Sequence, residues 1–279
     1  MKSFVALWMV LCLPFFGFSQ SYYDSLFTGD GNTFRERKVV PWPDLQSANV
    51  MMVKRVERII DVRQKQNQPM AWPVKPLSSI LYDAAMSNML VAYETDEMSS
   101  SMTIEKLATI GTDTEYVESI VSADDPSFTQ LDTIILIFTP SERIQRYRIV
   151  EDWIYDKRRS QYFVRIISIA PQFEWKMGGV GLGWKDLCVF KYASSDGKDI
   201  RHVLVKHRVF NRQNNVSQLS FDDWFEQRLF SSFIIKISNP WNSYVREEAE
   251  FKDNSQEALL EAERLERLLH EKEENLYEE

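Results

Sequence analysis

RIQRYRIVEDWIYDKRRSQYFVRIISIAP, from Arg143 to Pro171, is the stretch that decides the fold. It reads as two strands joined by a polar turn. Tyr147, Ile149, Trp153 and Tyr155 recur at period two with Glu151 among them, and Phe163, Arg165, Ile167 and Ile169 do the same. The segment Asp156 to Ser160 is too charged for a core and short enough to close a hairpin. Folding it symmetrically about Arg158 sets Trp153 opposite Phe163, Glu151 opposite Arg165, and Ile149 opposite Ile167. Cross-strand pairs of these kinds contribute about 0.2–1 kcal/mol each. A slip of one residue would turn the apolar set to the other face, so the pattern specifies a register. The expected fold is α+β: a small, mainly antiparallel sheet built around this hairpin (about 144–170), with flanking helices and a charged C-terminal helix.

Upstream, Ile134 to Phe138 is an unalternating β-branched and aromatic run, which suits a strand buried on both faces. It leads straight into the hairpin and predicts at least three strands in one sheet. Asn49 is a suitable N-cap for a helix to about Asn67, with Val53, Val56, Ile59 and Ile60 as its apolar stripe. Its basic residues would suit phosphate or RNA, but a solvated helix face is the preferred reading. A second helix is expected over Leu77 to Ala92, with Ile80, Leu81, Ala84, Ala85 and Met89 inward. From Tyr93 to Ser127 the pattern is weak, with a short helix around Tyr116 to Val121.

Downstream, Gly178 and Gly183 have phosphate-loop spacing, but Trp184 stands where the lysine belongs and Asp186 follows Lys185. A cradle for phosphate needs that lysine and a hydroxyl for the metal, so a turned surface loop is expected. A short strand over Leu187 to Tyr192 and a turn over Ser194 to Lys198 follow. Ile200 to Phe210 reads as helix or strand. Ser220 caps a helix that carries Asp222 and Asp223 in its first turn and buries Trp224, Phe225, Leu229 and Phe233. From about Arg246 charged residues dominate, and Ala258, Ala262, Leu265, Leu269 and Leu276 form a thin apolar stripe. Such a helix is marginal alone; it is either solvated and frayed or docked on a partner helix.

The ends and the composition set the class. Lys2, the apolar run Phe4 to Phe16, and Gly17 and Ser19 before Gln20 have the form of a cleaved secretory signal over residues 1–19. Residues 20–48, with Pro41-Trp42-Pro43, read as an extended arm, 49–243 as the α+β core domain, and 244–279 as a charged helix or tail. A formal charge of -8 argues against nucleic acid and anionic membranes. Loss of the signal leaves Cys188 as the lone cysteine, a buried thiol that cannot form an intrachain disulfide. His202, His207 and His270 are not spaced to hold zinc, and no nucleophile sits beside a base. No catalytic residue, cofactor or metal is expected, and no membrane insertion of the mature chain.

The run EDWIYDKRRSQYFVRIISIAP, Glu151 to Pro171, resembles the signature of the gliding-motility protein N family (GldN and PorN). KRVERIIDVRQKQNQP from Lys54 to Pro69 looks like that family's N-terminal helix. Ala92-Tyr93, HRVFNRQN from His207 to Asn214, and SFDDWFEQRLFSSFIIKISN from Ser220 to Asn239 are similar to its later blocks. Val150, Ser168 and Ile237 depart from the pattern at single positions. The resemblance implies a non-catalytic component of the type IX secretion and gliding machinery of Bacteroidetes. It implies a periplasmic protein that assembles with an outer-membrane lipoprotein of the same system into a ring and contacts the periplasmic part of the inner-membrane motor. On that reading Lys157, Arg158 and Arg159 at the hairpin turn are the candidate partner-binding residues. The competing class is a periplasmic hydrolase or small-ligand-binding protein, which predicts a deep pocket.

Overall fold

In the computed structural model, residues 37–120, 129–136, 138–177, 180–214, 217–248, 251 and 254–274 are described. The expectations for the signal peptide, for most of the arm and for Leu276 fall outside them. In chain order the elements are β1 (Val50–Asp61), α1 (Leu77–Met86), β2 (Ala92–Tyr93), α2 (Ile104–Thr109), β3 (Asp113–Ile120) and β4 (Thr129–Leu136). Then come α3 (Pro140–Arg143), β5 (Ile144–Asp156), β6 (Gln161–Met177), β7 (Val180–Asp186), β8 (Val189–Lys191) and α4 (Ile200–Leu204). The last elements are α5 (Phe221–Glu226), β9 (Phe233–Ile237) and α6 (Ser255–Glu274). The fold is α+β, with a seven-stranded antiparallel sheet in the order β2-β8-β6-β5-β1-β9 and β7 pairing with the far part of β6.

The hairpin β5–β6 is the centre of the sheet, as expected, but its register is not the symmetric one. Asp156 faces Gln161 and Trp153 faces Val164, so Phe163 lies opposite Ile154 on the other face. The cause is the turn. It spans Lys157 to Ser160, with Ser160 in the left-handed region at φ 48° and the Asp156 carboxylate accepting from the Arg158 N–H at 2.9 Å. A bulge at Ile167 then shifts the pairing again, so that Ile149 meets Ile169 and Glu151 meets Ile166. Arg165 opposes Asp152 instead of Glu151.

The segment expected to be a helix over 49–67 is the strand β1, paired with β5 on one side and β9 on the other. Its stripe mimics a helical period because both faces of its second half are buried: Ile59 and Ile60, adjacent in sequence, are both in the core. With both faces covered, β-branched content is the better guide than periodicity. A 3-10 stretch, Lys65–Ala71, follows.

Three other expectations change. The segment around Tyr116 to Val121 contributes to strand β3, not a helix, and β3 pairs with β4 in a separate two-stranded sheet. The run Ile134 to Phe138 therefore does not extend the hairpin's sheet. The glycine segment, from Val180 on, is strand β7 against β6. Helix α1 starts where expected but stops at Met86, where Asn88 turns left-handed at φ 58°; Met89 is exposed.

The sheet register assigns side chains to two faces. On the first, Ile60 and Tyr147 lie beside Ile149, Ile169 and Phe173, under α1, α4 and α5, in the main core. Further along the same face, Val56, Trp153 and Ile234 form a second cluster with Ala262 and Leu269 of α6. The C-terminal helix is thus docked on its own sheet. Leu229 and Phe233 are not the buried face of α5, which ends at Glu226; Leu229 is exposed and Phe233 belongs to β9.

Candidate interaction surface

The hairpin turn stands clear of the body. Lys157, Arg158 and Arg159 are all exposed. Backbone bonds fix the turn: the Lys157 N–H donates to the Asn49 carbonyl at 2.9 Å, joining it to the start of β1. The Arg159 guanidinium carbon lies 5.4 Å from the Phe163 ring centroid, so its charge is presented alongside an aromatic face. The three cations sit on a fixed turn, Lys157 and Arg158 exposed and Arg159 also 3.9 Å from the Asp156 carboxylate. That geometry suits pairing with carboxylates of another surface.

A buried charge cluster stiffens the sheet behind the turn. Glu151 is fully buried and on the same face as Trp153 and Arg58. Arg58 Nε donates to Glu151 Oε1 at 2.6 Å, Arg228 Nη1 to Oε2 at 2.7 Å, and the Trp153 indole to Oε1 at 2.9 Å. Burial alone would raise the Glu151 carboxyl; the Arg228 and Arg58 guanidiniums outweigh it and hold the group below the ordinary carboxylate range. Arg58 also donates to Glu266 of α6 at 2.7 Å. The cluster lies between the two apolar clusters of the first face and ties the C-terminal helix to the central strands.

Arg228 reaches this site through a helix end. Its N–H bonds to the Phe225 carbonyl, the Leu229 N–H to the Trp224 carbonyl, and its φ is 54°. That is the position where a helix terminus ordinarily takes glycine. The capping box at the other end of α5 is complete: Ser220 accepts from the Asp223 N–H, and Asp223 accepts from the Ser220 N–H. Asp222 is occupied by the buried Arg201 at 2.8 Å, so the acidic pair at this helix start is structural.

The second face carries another set of ion pairs. Arg148 donates to Asp96 at 2.7 Å and to Asp186, and Glu57 beside it takes Lys236 at 3.3 Å. Asp61 is bonded by Arg63 and Arg146; the Arg63 hydrogen bond chiefly holds its carboxyl down to about 2. Arg146 also stacks over Trp184, 4.0 Å from the ring centroid. Beside it a groove of about 440 Å³ opens between this face, β9 and the first half of α6, lined by Ile59, Phe233, Tyr244, Val245 and Leu259. Because Leu269 packs on the first face and Leu259 on the second, α6 wraps the β9 edge.

The histidines remain apart: His202 pairs with Asp199 at 2.6 Å, and His270 lies edge-on to Trp153. Among the described residues no group of three or more His, Cys, Asp or Glu is placed to hold a metal. Cys188 is buried, and burial pushes its thiol far up. Residues 37–46 lie on the body through Arg37, which donates to the Gln218 carbonyl, and Trp42, which stacks on Tyr192 and donates to Glu226. Among the described residues no helix is long and apolar enough to cross a membrane.

Sequence reading nominated the turn but missed Arg58 and Arg228 as partners of Glu151, and Glu266 as the second acceptor of Arg58. Glu151 itself, lone among apolar residues at strand period, was the available signal. No curated protein matches the chain. A family model does, described as gliding motility associated protein GldN, over residues 45–278. The match takes in β1, the hairpin, the Arg58–Glu151–Arg228 cluster and α6. The chain belongs to the GldN family, structural components of the gliding-motility and type IX secretion machinery.

Proposed function

We propose that this protein is a non-catalytic scaffold of the type IX secretion and gliding machinery that works in the periplasm after removal of its signal peptide. It assembles there with an outer-membrane lipoprotein of the same system into a ring, itself repeated in that ring, and meets the periplasmic part of the inner-membrane motor. The observation that carries this reading is the family match over residues 45–278. The exposed cations Lys157, Arg158 and Arg159, held on a rigid ribbon, support a partner contact at the hairpin turn.

The test is co-purification through a C-terminal tag from detergent-solubilised outer membrane. The expected result is a megadalton assembly containing a lipoprotein. Reversing the turn with Lys157→Glu, Arg158→Glu and Arg159→Glu should cut recovery of the partner about tenfold, as several ion pairs at an interface rim turn repulsive. The melting temperature should fall only slightly, since Lys157 and Arg158 are exposed and the Arg159–Asp156 pair at 3.9 Å is a weak surface contact. A full-sized assembly from the triple variant would remove the turn from the interface. A soluble monomer from the parent chain would reopen the other class, a periplasmic hydrolase or small-ligand-binding protein. Among the described residues the groove of about 440 Å³ favours it, being of ligand size.

A further inference from the structure

The groove of about 440 Å³ runs across the strands of the second face, and its chemistry is divided along its length. One end is polar: Arg146 of β5 lies there with Gln172, its cross-strand neighbour on β6, and Trp184 of β7. The remainder is apolar, with Ile59 of β1, Phe233 of β9, Val245 and Leu259 as floor and walls. Strands lie about 4.8 Å apart, so the floor from Arg146 across β1 to β9 is about 10 Å wide before α6 closes it. Arg146 is fixed at two points. Its Nε donates to Asp61 at 3.1 Å, and its guanidinium carbon sits 4.0 Å from the Trp184 ring centroid. Asp61 is engaged at the same time by Arg63 through both carboxylate oxygens, so two guanidiniums share one carboxylate. Among the described residues neither Nη of Arg146 makes a hydrogen bond. They form a planar donor fork, held in place and still partly exposed, at the polar end of an apolar groove.

We propose that the groove binds an aliphatic monocarboxylate, a fatty acid, with its carboxylate on Arg146 and its chain along β1, β9 and α6. A guanidinium fork meets a carboxylate through two parallel N–H···O bonds, and such charge-assisted pairs are stronger than neutral ones. A cleft of this size, mostly apolar with a few convergent polar groups, is the usual form of a small-molecule site. The other polar groups leave the sign of the ligand to Arg146. Gln172 spends its amide N–H on Asp186 at 2.7 Å, and Arg246 and Glu247, side by side at the rim, cancel. The apolar walls select the rest of the molecule. An alkyl chain brings no polar atom to Phe233, Val245 and Leu259, whereas a peptide would lay amides against them and lose their hydrogen bonds to water. The site makes no use of the cationic turn, at the other end of the hairpin, and so goes beyond the scaffold reading.

The test is isothermal titration of the purified exported chain with octanoate, decanoate and dodecanoate below their micelle concentrations, and with decanol as the uncharged analogue. The expected result is one ligand per chain, with affinity rising about fourfold per added CH₂ until the groove is full. Decanoate should bind at least about tenfold more tightly than decanol, the size of a hydrogen bond to a charged group. Arg146→Met keeps an apolar stem over Trp184 and should erase that preference while leaving decanol binding unchanged. An arginine with a merely structural role would weaken both ligands alike, and that outcome overturns the assignment. Ala258→Phe fills the groove from α6 and should abolish uptake of both ligands at an unchanged melting temperature. Undiminished uptake by that variant would put the ligand elsewhere and overturn the site. A parent chain that assembles with its lipoprotein but shows no saturable uptake of decanoate overturns the site and leaves the scaffold reading standing.

Discussion

Glu151→Ala is expected to destabilise the protein by about 3–5 kcal/mol, because it removes a fully buried acidic partner of the buried Arg58 guanidinium. Arg58 is 1% exposed, and its Nη2 already lacks a hydrogen-bond partner. Without Glu151 it keeps Glu266 and Ser232, but its Nε and the Trp153 indole lose their acceptor in the interior. A loss of that size corresponds to a fall of roughly 10 °C in melting temperature for a domain of this length. Glu151→Gln should cost less, since an amide oxygen still accepts from one guanidinium and from the indole. Replacing Glu151 and Arg58 together by Leu and Met should cost less than the sum of the single changes, the sign of a coupled pair. Urea denaturation of the parent, Glu151→Ala, Glu151→Gln, Glu151→Leu, Arg58→Met and the double variant reads all of this; additive single changes would dismiss the clamp. The pH dependence follows from the same pairing. Glu151 and Asp61 both have depressed carboxyls in the folded state, Asp61 to about 2 from an ordinary 3.8. Their contribution is complete above the unfolded values and is lost as pH falls through the folded ones. Loss of stability in the parent should therefore begin as pH falls through the ordinary carboxylate range and continue to about pH 2. Glu151→Ala should start from lower stability and show a shallower upper part.

The hairpin, the start of α1 and the Ser220 cap were legible because each is written in local chemistry: alternation around a charged turn, an apolar 3.6 period, and a hydroxyl before two aspartates. The register was not, because it depended on how many residues the turn uses. A four-residue turn ending at Ser160 moves Phe163 to the face opposite Trp153, and nothing in the alternation reports that count. Strand β1 was misread for a deeper reason. Val53, Val56, Ile59 and Ile60 fit a helical stripe, yet the strand lies between β5 and β9 with both faces covered along its second half. A period is visible only when one face meets water. Its β-branched content and the basic residues that later found Glu151 and Asp152 carried the contrary signal. Of the candidate surface, the charged turn was visible in the sequence, while the buried cluster was not, since Arg58, Glu151, Arg228 and Glu266 are brought together only by the tertiary fold.

Ala262→Asp should release the C-terminal helix while the rest of the protein stays folded. Ala262 and Leu269 are the two fully buried side chains of α6, packed with Val56, Trp153 and Ile234. A carboxylate at position 262 would be buried against apolar neighbours, one turn before the like-charged Glu266; the cost is about 3 kcal/mol or more. The helix is also held by the Glu266–Arg58 pair, the half-buried Leu265 and His270 edge-on to Trp153. Once undocked, a helix this polar cannot persist, because isolated helices are marginal in water. Trypsin should then cut at Arg264 and Arg267 at least about tenfold faster, with helical circular dichroism reduced, while the sheet melts in a separate, little-shifted transition. Leu268→Asp, on the exposed side, is the control and should change neither. Parental proteolysis of the Ala262 variant would mean that the charge pair alone suffices to hold α6. Release carries a consequence for the β9 groove, because one of its walls is α6 itself. The Ala262 variant should therefore lose that groove together with its helix, while the turn at the other end of the hairpin keeps its exposed cations.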